Sequence, residues 1–170
     1  MNILVLNGSP RPQGETAKMI SVFKAAAEKG GHEVTELKVC RMNIHGCLAC
    51  EYCHGKGLGS CVQRDDMQEI YEKLQNTDML ILASPIYYHN ISGQLKCVID
   101  RFYALLYPAA PKRLKKVAMF LASGDPDMYD GARFSYEGDF LGYLGLEDLG
   151  LFSNHDEDAS ERIAEMAEKL

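Results

Sequence analysis

The residues best suited to bind a phosphorylated ligand lie in one early turn of the chain. Residues 7–16 read Asn-Gly-Ser-Pro-Arg-Pro-Gln-Gly-Glu-Thr and stand between a short apolar run and an amphipathic run with helical spacing. This pattern predicts a strand-to-helix turn, where glycines let the backbone approach a ligand and the helix N-terminus favours an anion. Ser9 and Thr16 add hydroxyls, and Arg11 adds a planar cationic fork. The turn therefore predicts a phosphate site, although a simple connecting turn has similar composition.

A second stretch with binding chemistry follows a predicted buried strand at 78–83. Residues 84–93 read Ser-Pro-Ile-Tyr-Tyr-His-Asn-Ile-Ser-Gly. Aromatic rings beside exposed backbone groups suit a flat heteroaromatic ligand, whereas Tyr87 and Tyr88 taken alone read as ordinary boundary tyrosines. Together with the phosphate turn, this loop favours a phosphorylated planar cofactor, and flavin mononucleotide (FMN) fits best.

Four cysteines form a third chemical feature, in an irregular segment between residues 40 and 64. Three of them follow one another at spacings of three, as at the start of a bacterial ferredoxin motif, whereas structural zinc sites usually use two separated pairs. The set is Cys47, Cys50, Cys53 and Cys61. A 4Fe–4S cluster and four reduced thiols both agree with this spacing. We expect Cys40 and Cys97 to be small, partly buried residues.

The alternation of apolar runs and helical patterns indicates the elements that position these loops. Strands are expected at 3–6, 32–39, 78–83, 117–122 and 146–152, and helices at 17–29, from 65, from 95, at 128–144 and at 156–170. Such alternation predicts an α/β fold with a parallel sheet covered on both faces. The flavodoxin-like, doubly wound order 2-1-3-4-5 of five strands then places 7–16, 84–93 and 123–126 at one sheet edge. We expect residues 1–170 to form a single domain of this type.

Composition limits the classes of partner. The net charge of −6 argues against nucleic acid or an anionic membrane. No run approaches the ~20 apolar residues that span a bilayer, and no signal-peptide pattern precedes the first strand. These features predict a cytoplasmic protein, in which the six cysteines are thiols or ligands rather than disulfides.

The motifs together resemble the NAD(P)H-dependent FMN reductase family, and in particular its iron–sulfur flavoprotein branch. The resemblance is carried by the 7–16 turn, Ser-Pro-Ile-Tyr-Tyr at 84–88, Ser-Gly-Gln-Leu-Lys at 92–96 and Asp100-Arg101, and it covers residues 1–125. It implies that the turn holds the FMN phosphate and that 85–88 and 123–124 flank the isoalloxazine ring. The implied FMN-binding residues are Ser9, Arg11, Gln13, Gly14, Glu15, Thr16, Pro85, Ile86, Tyr87, Tyr88, Ser123 and Gly124. One departure from the family pattern is Glu15, since many relatives carry Asn or Ser at this position. A carboxylate here would repel a nearby phosphate.

Two functions are open at this point. The first is an FMN-dependent NAD(P)H oxidoreductase that passes electrons to a quinone, a flavin or a similar acceptor, with the chemistry carried by the flavin and no catalytic side chain. The second is an iron–sulfur flavoprotein electron carrier, with a 4Fe–4S cluster at the cysteines and a ferredoxin-like protein partner. A receiver or phosphoryl-transfer domain of this fold is disfavoured because no paired acidic cluster follows the first strand.

The resemblance further implies a homodimer or higher homo-oligomer. The segment 129–143 carries more aromatic side chains than one core-facing helix surface needs, so some are expected to pack on a partner. They are Tyr129, Phe134, Tyr136, Phe140 and Tyr143.

Overall fold

The centre of the molecule is a sheet whose inner strands are covered on both sides. The computed structural model describes residues 1–170, and its strands are β1 (Asn2–Asn7), β2 (Glu33–Leu37), β3 (Met79–Tyr87), β4 (Asn90–Ile91), β5 (Lys116–Ala122) and β6 (Glu147–Ser153). Five strands are parallel in the order β2-β1-β3-β5-β6, and the short β4 pairs antiparallel with β3. The predicted order of the five parallel strands is confirmed, and β4 is an addition that the sequence did not indicate.

Helices cover the two faces of the sheet. They are α1 (Glu15–Lys29), α2 (Met67–Gln75), α3 (Gly93–Arg101), α4 (Tyr103–Leu106), α5 (Asp130–Ser135) with a π-helical continuation (Tyr136–Tyr143), and α6 (Ala159–Glu168). On one face Phe23 of α1 and Ile163 of α6 pack in a core that includes Phe120 of β5. On the other face α2, α3 and the π-helix bury a larger core, which includes Ile70, Val98 and Phe140. None of the helices combines the length and the apolar character that crossing a lipid bilayer requires.

The strand β3 is longer than predicted, because the chain turns back on itself in a tight hairpin. Tyr88 and His89 have φ angles of +50° and +62°, and Tyr87 pairs with Asn90 across them. Positive φ at both central residues is typical of a type I′ hairpin turn, which Asn-Gly usually marks. The segment predicted as a loop from 84 onwards is therefore the end of β3 followed by the hairpin.

The predicted helix at 128–144 changes its winding at Tyr136, where a π-helix replaces the α-helix. The buried Tyr136 hydroxyl lies 3.1 Å from the Val117 carbonyl and 2.6 Å from Asp148 Oδ1. Burial, together with the bond to Asp148, raises the pKa of Tyr136 above its ordinary value. This side chain joins the π-helix to β5 and β6.

Candidate functional site

Three loops at the carboxyl ends of β1, β3 and β5 enclose one cleft of about 310 Å³. Its lining residues are Ser9, Arg11, Gly14, Glu15, Thr16, Pro85, Ile86, Tyr87, Ala122, Ser123 and Gly124. All but two of the residues predicted to bind FMN lie in this lining, and Ala122 is an additional member. The parallel register of the three strands produces this convergence, since their carboxyl ends share one edge of the sheet.

Gln13 and Tyr88 are the two predicted residues outside the cleft lining. Gln13 is exposed, and Tyr88 is fully exposed at the tip of the hairpin. The structure thus brings Tyr87, but not its neighbour, to the cleft. The reason is the hairpin turn, which directs consecutive side chains differently from an open loop.

The N-terminus of α1 opens into this cleft with free hydrogen-bond donors. Gly14 is the N-cap and has no side chain to cap the helix. The backbone N–H groups of Glu15, Thr16 and Ala17 have no acceptor in the protein, and the first bonded N–H is that of Lys18, 3.1 Å from the Gly14 carbonyl. Uncapped N–H groups and the positive end of the helix dipole together attract an anion.

The charged side chains of the turn differ in their partners. Arg11 is exposed and pairs with no carboxylate of the chain, so its guanidinium is available to a ligand. Glu15 also lines the cleft, but its Oε1 lies 2.7 Å from Lys18 Nζ, and both side chains are more than half exposed. The Lys18 charge therefore offsets part of the negative charge that Glu15 brings to the cleft.

The turn is held in place by residues that the sequence motifs did not identify as supports. The Ser9 N–H donates to Asn7 Oδ1 over 2.9 Å, and the Cys40 thiol donates to the Ser9 carbonyl over 2.9 Å. A Cβ at Gly8 would lie 2.6 Å from Ser92 Oγ and 2.9 Å from Leu95 Cβ. Gly8 is therefore needed for close packing against α3, rather than for the approach of a ligand.

Ser92 connects the phosphate turn to the N-terminus of α3. Its buried hydroxyl donates to the Gly8 carbonyl over 3.0 Å and accepts from the Leu95 N–H over 3.4 Å. Its own N–H donates to Ser84 Oγ over 2.9 Å. These bonds explain the Ser at the start of the 92–96 motif: it caps α3 and fixes the turn at once.

The loop after β5 is held by residues that follow the neighbouring strand β6 and by Tyr129, which precedes α5. The Ser123 N–H donates to Asn154 Oδ1 over 2.8 Å, and Asn154 Nδ2 donates to the Ser123 carbonyl over 3.1 Å. Tyr129 donates to the same Asn154 oxygen over 3.0 Å, and His155 Nε2 lies 3.1 Å from the Ser123 carbonyl. Sequence reasoning missed Asn154 and His155, although the position of 154–155 just after a strand was a usable signal, and it grouped Tyr129 with aromatic residues for partner packing rather than with this loop.

The four cysteines of the 47–61 segment lie around a second, much smaller cavity of about 20 Å³. The neighbouring lining residues include Tyr71, Arg101 and Tyr103. Cys61 is buried, Cys53 is half-buried, and Cys47 and Cys50 are exposed. Burial raises the pKa of the Cys53 thiol. No three metal-ligating side chains of the chain converge closely enough to hold a single metal ion.

Comparison with known proteins agrees with the fold and the motifs. The family model described as NADPH-dependent FMN reductase matches residues 1–150. An iron–sulfur flavoprotein of Methanocaldococcus jannaschii is 40% identical over 125 residues, which are 73% of this chain and 62% of that protein. An iron–sulfur flavoprotein of Archaeoglobus fulgidus is 40% identical over 101 residues, 59% of this chain and 45% of that protein. The chain thus spans about half the length of the curated relatives it matches.

Solved structures share the fold at low sequence identity. An NAD(P)H:quinone oxidoreductase from Methanothermobacter marburgensis has a TM-score of 0.72 and 17% identity, covering 99% of this chain and 93% of that one. An azoreductase from Bacillus anthracis has a TM-score of 0.74 and 16% identity, covering both chains completely. At this identity the likeness establishes the flavodoxin-like fold.

We expect Ser92→Ala to lower the free energy of unfolding by about 1–2 kcal/mol, because it removes the cap of α3 and the donor to the Gly8 carbonyl. Urea unfolding followed by circular dichroism measures the change. Ser160→Ala is the control, since Ser160 is exposed and its hydroxyl has no partner; it should change stability by less than about 0.5 kcal/mol. Equal losses in the two variants would contradict the role given to Ser92.

Proposed function

Since this chain belongs to the NADPH-dependent FMN reductase family, we propose that it is an FMN-dependent NAD(P)H oxidoreductase whose acceptor is a quinone, a flavin or a similar small molecule. The observation that carries this proposal is the uncapped N-terminus of α1, which opens into a cleft shared with the β3 and β5 loops. A phosphate at the helix and a planar ring between the two loops would satisfy both halves of this cleft.

The phosphate half of the cleft has the donors that a dianion needs. The free N–H groups of Glu15, Thr16 and Ala17 form the positive end of the helix dipole, where the phosphate would bind. The Thr16 side chain adds a hydroxyl. Arg11 provides a charge-assisted bond that no protein carboxylate competes for. This donor set fits a terminal phosphate group.

The ring half of the cleft combines apolar surface with backbone. Pro85, Ile86 and Tyr87 form one wall, and Ser123 with Gly124 forms the other. The bonds from Asn154 fix the Ser123 backbone, so this wall is set before a ligand arrives. FMN, when bound, supplies the hydride and electron chemistry, and these residues bind and orient it.

A specific observation supports iron–sulfur electron transfer as a second candidate function. All four cysteines of the 47–61 segment line one cavity, and Cys40 and Cys97 do not. A 4Fe–4S cluster binds each thiolate through a different iron, so its ligands need not converge on one point as they would for a single ion. The curated relatives described above carry iron–sulfur flavoprotein names. The thiols would hold the cluster, and a ferredoxin-like protein would then be an electron partner.

Two further features of the proposal concern assembly and location. A homodimer or higher homo-oligomer is supported by Phe134 and Tyr143, which are 81% and 56% exposed on the segment that follows β5. Tyr129, Tyr136 and Phe140 of the same segment are buried within the chain and leave fewer aromatic side chains for a partner than expected. The cytoplasmic location stays a prediction.

The experiment that tests FMN binding compares the wild-type chain with Arg11→Ala. Flavin released by heat and separated by chromatography should be FMN rather than FAD. The protein with FMN bound should oxidise NADPH or NADH with a quinone as the electron acceptor. Arg11→Ala should weaken FMN binding by about 1.5–3 kcal/mol, the size of a charge-assisted bond. Arg64→Ala is the control, since Arg64 is exposed and outside the cleft. FAD as the main flavin would overturn the proposal, and unchanged affinity would remove Arg11 from the site.

Glu15→Asn should tighten FMN binding a few-fold, because it removes a negative charge from the cleft next to the phosphate. The gain should be larger at low salt, where screening is weakest. Fluorescence titration at two ionic strengths measures it. Glu28→Asn, at the other end of α1, should leave the affinity unchanged. If Glu15→Asn binds no tighter at low salt, the carboxylate does not face the phosphate.

Replacing any one of Cys47, Cys50, Cys53 or Cys61 by Ala should abolish bound iron and labile sulfide but leave FMN bound, because the phosphate turn is built elsewhere. Iron analysis after anaerobic reconstitution of the full chain measures this. Cys97→Ala is the cleaner control, since Cys40 also supports the turn through Ser9. Wild-type protein with less than about one iron per chain would contradict a four-iron cluster.

A further inference from the structure

One arginine–aspartate pair in this protein is almost completely buried. The side chains of Arg101 and Asp65 are 1% and 3% exposed. Two guanidinium nitrogens bond the carboxylate, Nη1 to Oδ2 over 2.8 Å and Nη2 to Oδ1 over 3.1 Å. Although burial opposes ionisation of Asp65, the bonds from Arg101 hold the pKa of this carboxyl below its ordinary value. Both partners are therefore charged.

This pair closes the base of the cysteine segment. Arg101 Nη1 also donates to the His45 carbonyl over 2.9 Å, and Asp65 Oδ2 accepts from the His45 N–H over 3.1 Å. His45 precedes the first cysteine of the segment and Asp65 follows the last one. The pair thus joins both ends of the segment to Arg101, the last residue of α3.

A third guanidinium nitrogen of Arg101 has nothing to bond. Arg101 Nε is the only buried side-chain nitrogen or oxygen of the chain without a hydrogen-bond partner. Arg101 lines the small cavity that all four cysteines share, whereas Asp65 does not. The pair therefore presents its positive member to the thiols, and a buried charged N–H without an acceptor is unfavourable unless a ligand supplies one.

We propose that Arg101 is the positioning and charge-compensating residue of the cysteine site, donating from Nε to a cluster sulfur and stabilising the negative charge of the cluster. The inference rests on the second candidate function, a cluster held by these cysteines. Four thiolates outweigh the positive charge of an iron–sulfide core, and reduction adds negative charge. A fixed cation beside the cluster therefore favours the reduced form and raises the midpoint potential. This gives Arg101, the second residue of the Asp100-Arg101 motif, a function.

If the Arg101–Asp65 pair only supported the fold, removing it would change folding and iron content but not the midpoint potential of the cluster. The test therefore measures the midpoint potential. The charge-removing double variant Arg101→Gln/Asp65→Asn leaves no unpaired buried charge, and the charge-conserving Arg101→Lys keeps the cation. The matched control is Arg113→Gln/Asp78→Asn, which removes the chain's other bidentate Arg–Asp pair, one that does not line the cysteine cavity. Each full-length protein is reconstituted anaerobically, assayed for iron and FMN, and titrated with dithionite under electron paramagnetic resonance.

At the wild-type midpoint potential, we expect the ratio of reduced to oxidised cluster to be at least tenfold lower in the charge-removing variant. For one electron, this corresponds to a midpoint potential that is lower by about 59 mV. Arg101→Lys should shift less, and the control should not shift. An unshifted potential in the charge-removing variant, or an equal shift in Arg101→Lys, would overturn the proposal. If the charge-removing variant takes up no iron, Arg101→Lys decides instead: a midpoint potential below that of the wild type supports the proposal, and an unchanged midpoint potential or loss of iron overturns it. Absence of iron from the wild-type chain would instead overturn the cluster itself, and this inference with it.

Discussion

The parallel pairing of β1 with β3 is the constraint on which the site depends. Residues 3–7 pair in register with 79–83, so both strands end towards the same edge of the sheet, and β3 continues four residues farther, to Tyr87. The phosphate turn follows one strand and the aromatic hairpin follows the other. Both strands are buried on two faces by helices, which makes a change of register costly, because a slip of one residue would reverse every side chain. The position of the cleft is thus determined by strand pairing and core packing rather than by contacts within the loops themselves.

The sequence was sufficient for the features that follow from periodicity and short-range motifs. Buried apolar runs located the strands, and the Gly-Ser-Pro-Arg motif located the turn that leads into the N-terminus of a helix. The predicted strand order placed the loops after β3 and β5 at the same edge, and residues of these loops do meet in one cleft, with Gln13 and Tyr88 outside it. The sequence identified the chain segments that line the cleft, because the strand order determines which segments become neighbours.

What could not be predicted depends on partners distant in sequence or on unusual backbone. Ser92 matters because its hydroxyl meets the Gly8 carbonyl, 84 residues away. Asn154 matters because it bonds the Ser123 backbone, 31 residues away. The hairpin at Tyr88 and His89 uses positive φ without glycine, so composition gave no sign of it. Arg101 was recognised as part of a motif, but its burial against Asp65 is visible only in three dimensions.

The helix α3 has a consequence for the geometry between the two candidate cofactor sites. Its first turn is bonded through Ser92 to the phosphate turn, and its last residue, Arg101, is bonded to both ends of the cysteine segment. At 1.5 Å per residue, the nine steps from Ser92 to Arg101 span about 13 Å. The helix therefore acts as a rigid spacer that connects the two sites through covalent and hydrogen bonds alone. The distance between the phosphate turn and the two ends of the cysteine segment therefore changes only if this helix bends or unwinds.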